Sequence, residues 1–158
     1  MNEIRRIAPT HPGVAELLRQ STEYASSLYP AESNHLDSAA ELSRDNVYLV
    51  GAFVQGKLAG IGAVKRLAHD VEYGEIKRLY VLPAHRGQGL AKRIMDTLED
   101  HLREMGIAVA RLETGIYQPE AIGLYKTLGY LVRGPFGKYK PDPLSVFMEK
   151  RIRGRQNS

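Results

Sequence analysis

The sequence contains no cysteine. That absence removes a disulfide framework, a thiolate metal site and a cysteine nucleophile at once. It also lacks any run of about eighteen apolar residues and any charged-then-apolar leader at its start, so a cytoplasmic protein is expected and a membrane is not an expected partner. Its five histidines are scattered without the i, i+4 spacing of a helical metal site, which argues against a bound metal. No repeat, low-complexity segment or linker interrupts the chain. What remains is 158 residues, 43% apolar and 25% charged, which is the size and make-up of one soluble globular domain spanning 1–152. The net charge of +4 is modest, and its basic residues concentrate at Lys77, Arg78, Arg86, Lys92 and Arg93 and again at Lys150, Arg151, Arg153 and Arg155. The first group suits an anionic cofactor. The second reads as a solvated, frayed tail over 153–158 rather than a nucleic-acid arm, so no nucleic-acid partner is expected.

The chain is organised around residues 75–105. Ile76, Leu79, Tyr80, Val81 and Leu82 predict a strand, stopped by Pro83, which cannot donate to a central ladder. Leu90, Ile94, Leu98, Leu102 and Met105 recur at helical spacing and predict a long amphipathic helix. Between them lies Arg86-Gly87-Gln88-Gly89-Leu90-Ala91. Its glycines omit Cβ atoms where a ligand must approach the backbone, and several N–H groups at the start of the helix then point the same way. The helix dipole adds roughly +0.5 charge at that place. Such a turn is built to hold an anion, with phosphate the natural candidate. It is not a P-loop, and Lys92 stands where the dinucleotide fingerprint needs its third glycine. The pattern that fits is R-x-x-G-x-A, from Arg86 through Gly89 to Ala91.

Around this centre the pattern predicts a first strand at Glu3–Ala8 and a helix capped by Thr10, with Pro12 in its first turn, running to Leu28. A polar loop follows over 30–35, then a short helix from about Asp37 to Leu42. Val47–Val54 is an almost continuous apolar run, so it reads as a strand buried on both faces. Leu58–Leu67 and Glu72–Leu82 follow as strands, and Gly106 closes the long helix. Ala108–Thr114 is a strand reached through a βαβ crossover and is therefore parallel to 72–82. Gln118–Leu128 is a short helix, Tyr130–Val132 a brief strand, and Ser145–Ile152 a final strand. The fold class is α/β: a mixed, mostly antiparallel central sheet with helices on both faces and one βαβ crossover.

Two motifs carry a resemblance. L-Y-V-x-P-x-x-R-G-x-G-x-A runs from Leu79 to Ala91, and P-E-A-I-G-L-Y-K-T-L-G-Y runs from Pro119 to Tyr130. With the element order, they resemble the GNAT superfamily of acetyl-CoA-dependent N-acetyltransferases over nearly the whole chain. The segments 30–35, 74–77, 112–115 and 135–147 are also similar to a bacterial small-molecule subgroup. The resemblance implies acetyl-CoA as co-substrate, with Arg86, Gly87, Gln88, Gly89, Leu90, Ala91 and Lys92 at its pyrophosphate and Arg93 nearby. It implies the backbone of Leu79, Tyr80 and Val81 along the pantetheine arm and at the thioester oxygen, freed from the ladder by a bulge that the slip in apolar phase between Ile76 and Leu79 hints at. Gln118 stands where the family often has an asparagine on the pantetheine.

Further roles follow from the same resemblance. Glu75 occupies the position of the carboxylate base that several members carry, and otherwise reads as an exposed strand residue tuning the site. Tyr125 corresponds to the tyrosine that protonates the departing thiolate, and otherwise to a core tyrosine. Glu32, Ser33, Asn34 and His35 on one side, and Phe136, Tyr139 and Asp142 on the other, lie on loops that shape the family's acceptor site. Lys77 and Arg78 are placed to receive a carboxylate, which favours an amino-acid-like acceptor; Arg78 equally suits a phosphate or a surface glutamate. The leading expectation is acetyl transfer to the primary amine of a small molecule, by direct attack in a ternary complex. The alternatives are a non-catalytic acyl-CoA-binding module and a protein acetyltransferase acting on lysines or N-termini. A nicotinamide-binding enzyme fits less well, although Glu113 lies at about the distance of its ribose carboxylate. Homodimers are frequent in the family.

Overall fold

In the computed structural model, which describes residues 2–152, seven strands form one sheet. The basic tail expected at 153–158 lies outside the described residues. The strands are β1 (Asn2–Arg6), β2 (Val47–Val54), β3 (Lys57–Ala68), β4 (Glu72–Val81), β5 (Val109–Gly115), β6 (Leu131–Arg133) and β7 (Ser145–Arg151). Their order across the sheet is β1-β2-β3-β4-β5-β7-β6. Every neighbouring pair is antiparallel except β4 and β5, which are parallel as the crossover requires. β2 lies between β1 and β3 with its interior buried on both faces, as its unbroken apolar run implies.

Helices cover both faces. The crossover helix α3 (Leu90–Glu104) buries Leu90, Ile94, Leu98 and Leu102 in one stripe against β2, β3 and β4. Each such side chain contributes about 2 kcal/mol on removal from water. The short helix α4 (Pro119–Thr127) adds Tyr125 to the same core. On the other face α1 (Val14–Leu28) and α2 (Ala39–Leu42) bury Val14, Leu17, Leu18 and Leu42 with Phe53 and Ile61.

Two local expectations change. Helix α1 does not start at Thr10 with Pro12 in its first turn. Residues 10–13 form turns, with the Val14 N–H donating to the His11 carbonyl at 3.1 Å, and the helix opens after Gly13 in the left-handed region at φ 97°. That reversal takes Thr10 and Pro12 out of the helical path. The second helix is shorter than 37–42 because Ser38 caps it: its hydroxyl accepts from the Glu41 N–H while Glu41 accepts from the Ser38 N–H, a capping box.

The expected bulge is present in β4. Lys77 pairs with Ala63 and Tyr80 with Ile61, so Arg78 and Leu79 together oppose Gly62 alone. Arg78 sits at φ 55°, a left-handed conformation that costs a non-glycine residue roughly 1–2 kcal/mol. On its other edge β4 pairs with β5 at Gly74–Ala110 and Glu75–Arg111, and the two strands part beyond those pairs.

Candidate active site

Parting the two parallel strands leaves the edge of β4 from Ile76 onward without a strand partner among the described residues. A cavity of about 670 Å³ fills the gap, lined along β4 by Leu79, Tyr80 and Val81. One end of it is the glycine turn. Gly87 and Gly89 have φ of 81° and 76°, and the space where a Cβ would stand is open at both. The N-terminus of α3 carries no side-chain cap, and the Arg93 N–H is bonded to the Gly89 carbonyl at 3.1 Å. The N–H groups of Leu90, Ala91 and Lys92 are thus the orphan donors of a helix start, and all three residues line the cavity. Arg86 also lines it, held by its Nε donating to the Val81 carbonyl at 2.9 Å and by its guanidinium over the Tyr80 ring. The donor set fits a pyrophosphate. Gln88 is exposed and lies off the wall.

The middle of the cavity is closed by α4. Tyr125 is buried, lines the cavity and meets Tyr130 edge-on, so it belongs to the core and to the site together. Burial, reinforced by the Glu113 charge, holds its hydroxyl well above the ordinary phenol range. Gln118 also lines the wall, its Oε1 accepting from the Tyr29 hydroxyl at 3.2 Å.

The other end is assembled from side chains far apart in the chain. Lys77 Nζ lies 3.2 Å from Asp37 and 3.5 Å from Glu75 and donates to the His35 carbonyl and the Tyr139 hydroxyl. Tyr139 in turn donates to Glu75 Oε2 at 2.5 Å. Ser33 donates to Asp142 at 2.7 Å, tying together the two loops expected to shape this end. Asn34, His35, Lys77 and Arg78 line the cavity. Glu75 does not: it is buried behind these contacts rather than exposed on its strand. Glu32 is exposed away from the wall, and Phe136 is packed in an aromatic cluster with Tyr73, Tyr139 and Phe147 because its ring is apolar. Arg78 turns toward α1, donating to the Leu18 carbonyl and the Thr22 hydroxyl, and its Nε and Nη1 are buried without a hydrogen-bond partner among the described residues.

Two residues of this end escaped the sequence reading as site residues. Tyr29 lines the cavity, stacks on Tyr117 and accepts from the Tyr117 N–H. It rests where a Cβ at Gly115 would overlap its hydroxyl, so only glycine fits there. No motif marks it. Glu113 lines the cavity from β5 and accepts from the Ser145 hydroxyl at 2.8 Å, and burial pushes its carboxyl up to about 7. The sequence marked it only as part of the 112–115 segment and by its distance from the glycine turn, not as an acid or base of this site. Among the described residues no helix is long and apolar enough to cross a membrane, and no group of three or more acidic or histidine side chains is placed to hold a metal.

Known proteins resemble this chain in sequence and in fold. A sequence model of the acetyltransferase (GNAT) family matches residues 12–130. An IAA acetyltransferase of Azospirillum brasilense is 42% identical over 151 residues, covering 94% of this chain and 97% of its own. An aminoalkylphosphonate N-acetyltransferase of Salmonella typhimurium is 30% identical over 74% of this chain and 85% of its own. A crystal structure from Klebsiella pneumoniae, provisionally named an acyl-CoA N-acyltransferase, superposes with a TM-score of 0.79 at 36% identity, covering 96% of this chain and 98% of that one. The PaiA N-acetyltransferase of Thermoplasma acidophilum, solved with coenzyme A, shares the fold at a TM-score of 0.73 and 20% identity, over 96% of this chain and 99% of its own. The family match over most of the chain, the relative at 42% identity and the shared fold agree: the chain belongs to the acetyltransferase (GNAT) family.

Proposed function

We propose that the protein moves the acetyl group of acetyl-CoA to the primary amine of a small molecule, by direct attack within a ternary complex. The observation that carries this reading is one cavity joining the turn at 86–92, the unpaired edge of β4, and the side chains of Tyr125 and Glu113. The pyrophosphate suits the N–H groups of the first turn of α3 and Arg86. The pantetheine amides suit the free edge of β4 and Gln118, and the thioester then lies beside Tyr125.

An alkylamine has a pKa of about 10 and reaches a neutral site as an ammonium ion, so it must lose a proton before attack. Glu113 on the cavity wall and Glu75, buried behind Tyr139 and Lys77, are the candidate carboxylates to take it. As the C–N bond forms, the thioester oxygen gains charge near the N–H groups of Leu79–Val81. As the C–S bond breaks, the sulfur takes a proton. Because the Tyr125 hydroxyl is held above the ordinary phenol range, it is a poor net acid. It serves better as a relay, giving its proton to sulfur while receiving one from the attacking nitrogen.

The acceptor class is narrowed by two observations. The Salmonella relative is named for an aminoalkylphosphonate, a small primary amine with an anionic group. Lys77 and Arg78 both line the cavity and place positive charge at its acceptor end. A small amine carrying an acid group is the acceptor these favour. The test is calorimetric titration with acetyl-CoA beside a coenzyme A release assay over primary amines, amino acids and aminoalkylphosphonates. Binding with turnover of at least one acceptor is expected; no binding of acetyl-CoA overturns the reading.

A further inference from the structure

We propose that Glu113, not Glu75, takes the proton from the acceptor's ammonium group, with Glu75 held off the cavity wall by Tyr139 and Lys77; this deepens the acetyl-transfer reading above and rests on it. Three of the acidic side chains at this end are already committed. Glu75 accepts from Tyr139 and faces Lys77, Asp37 lies between Lys77 and Lys65, and Asp142 accepts from Ser33 and the Leu144 N–H. None of the three lines the cavity. Glu113 does, on the stretch of β5 beyond its last pair with β4, where the two strands have parted. Its hydrogen bond from Ser145 orients the carboxylate through Oε2. Glu120 also lines the cavity but is exposed on the first turn of α4.

The surroundings suit the task. Burial raises the Glu113 carboxyl to about 7; the Ser145 hydrogen bond and Lys77 pull it down, while Glu75 and Asp142 push it up. The hydroxyls of Tyr125 on α4 and of Tyr29, just after α1, feel its charge as well. A base is most effective with a pKa near the working pH, and a carboxyl near 7 meets that condition better than one in the ordinary range near 4.5. The protons balance. The carboxylate takes one from the ammonium ion and becomes a carboxylic acid, and the freed nitrogen pair forms the C–N bond. The nitrogen's second departing proton passes to sulfur as the C–S bond breaks. Glu113 then returns its proton to solvent through the cavity mouth, leaving amide, thiol and one proton.

Two measurements on the full chain test this. The first follows the side-chain carboxyl carbons of 13C-glutamate-labelled protein through a pH titration, with Glu113→Gln assigning the signal. A midpoint near 7 is expected, and one near 4.5 overturns the proposal, whether or not any acceptor is turned over. The second follows kcat/KM against pH with an amine that the panel shows to be acetylated. Wild type should rise through a midpoint near 7. Glu113→Gln should lose that midpoint and about 100-fold in rate at neutral pH, a loss that shrinks as pH approaches the amine's own pKa. Its affinity for acetyl-CoA should stay within about threefold, since it touches no part of the phosphate turn. Glu75→Gln should keep the ascending limb and shift it to lower pH, because a charge that raises the Glu113 pKa is gone. An ascending limb that survives Glu113→Gln and vanishes in Glu75→Gln reverses the assignment. Wild type that binds no acetyl-CoA sinks the acetyl-transfer reading instead, a separate failure.

Discussion

The two ends of the cavity are built on opposite plans. The phosphate end is the seven consecutive residues 86–92, whose working parts are mainly backbone N–H groups, and its side chains are mostly exposed. The acceptor end draws Asp37, Glu75 and Lys77 of β4, Glu113 and Tyr139 from four separate segments, with Tyr139 and Glu75 bonded across 64 residues of sequence. A site made of backbone needs the right φ angles and a helix start, and both are local properties. A site made of side chains needs the sheet order first. The difference decides how each end should respond to substitution: the first through shape and charge at one turn, the second through single polar atoms.

Tyr125→Phe removes one oxygen from the side-chain end and should produce the largest effect, roughly a 1,000-fold fall in kcat. Binding of acetyl-CoA, read by calorimetry, should stay within about threefold. Unchanged turnover would reduce Tyr125 to a core residue and leave the chemistry to backbone and base. Gly89→Asp attacks the other plan by placing a carboxylate in the left-handed turn where an anion should sit. A rise of about 100-fold in the Kd for acetyl-CoA is expected, close to 2.7 kcal/mol. Circular dichroism should remain that of wild type: the space at Gly89 is open, and the left-handed φ of 76° costs an aspartate only about 1–2 kcal/mol. Tyr139→Phe strips Glu75 of its donor and should cost about 1–3 kcal/mol of stability in urea unfolding. No loss there would mean that Lys77 alone satisfies the buried carboxylate. Lys92→Ala should matter least. Its ammonium is exposed and paired with Asp96, so at most about 1 kcal/mol of acetyl-CoA binding should be lost, more at low salt than at high.

The fold was largely legible. The strand and helix periods place β2 to β5, α3 and α4 within one or two residues, and the slip in apolar phase after Ile76 announces the bulge at Arg78–Leu79. The start of α1 was not, because Thr10 and Pro12 carry good local signals that the left-handed backbone of Gly13 overrides. In the candidate site, the members of the glycine turn other than Gln88 line the cavity. The acceptor residues were legible only as a region: Asn34, His35 and Lys77 reach the cavity, Glu32 points to solvent, and Phe136 packs against Tyr73 and Phe147. A loop's position can be inferred from element order, but which of its side chains faces inward depends on rotation about each residue.

By itself the sequence determined the parts whose physics is local: the glycine turn at a helix start, the apolar stripe of α3, the buried run of β2 and the parallel crossover. Only the tertiary structure decided the electrostatics of the acceptor end. It buried Glu75 against Tyr139 and Lys77, turned Arg78 toward α1, and brought Glu113 to the cavity wall with a raised pKa. The reason is that a carboxylate's pKa depends on burial and on charges within a few ångströms, and those neighbours come from strands and loops that adjoin only after the sheet has formed.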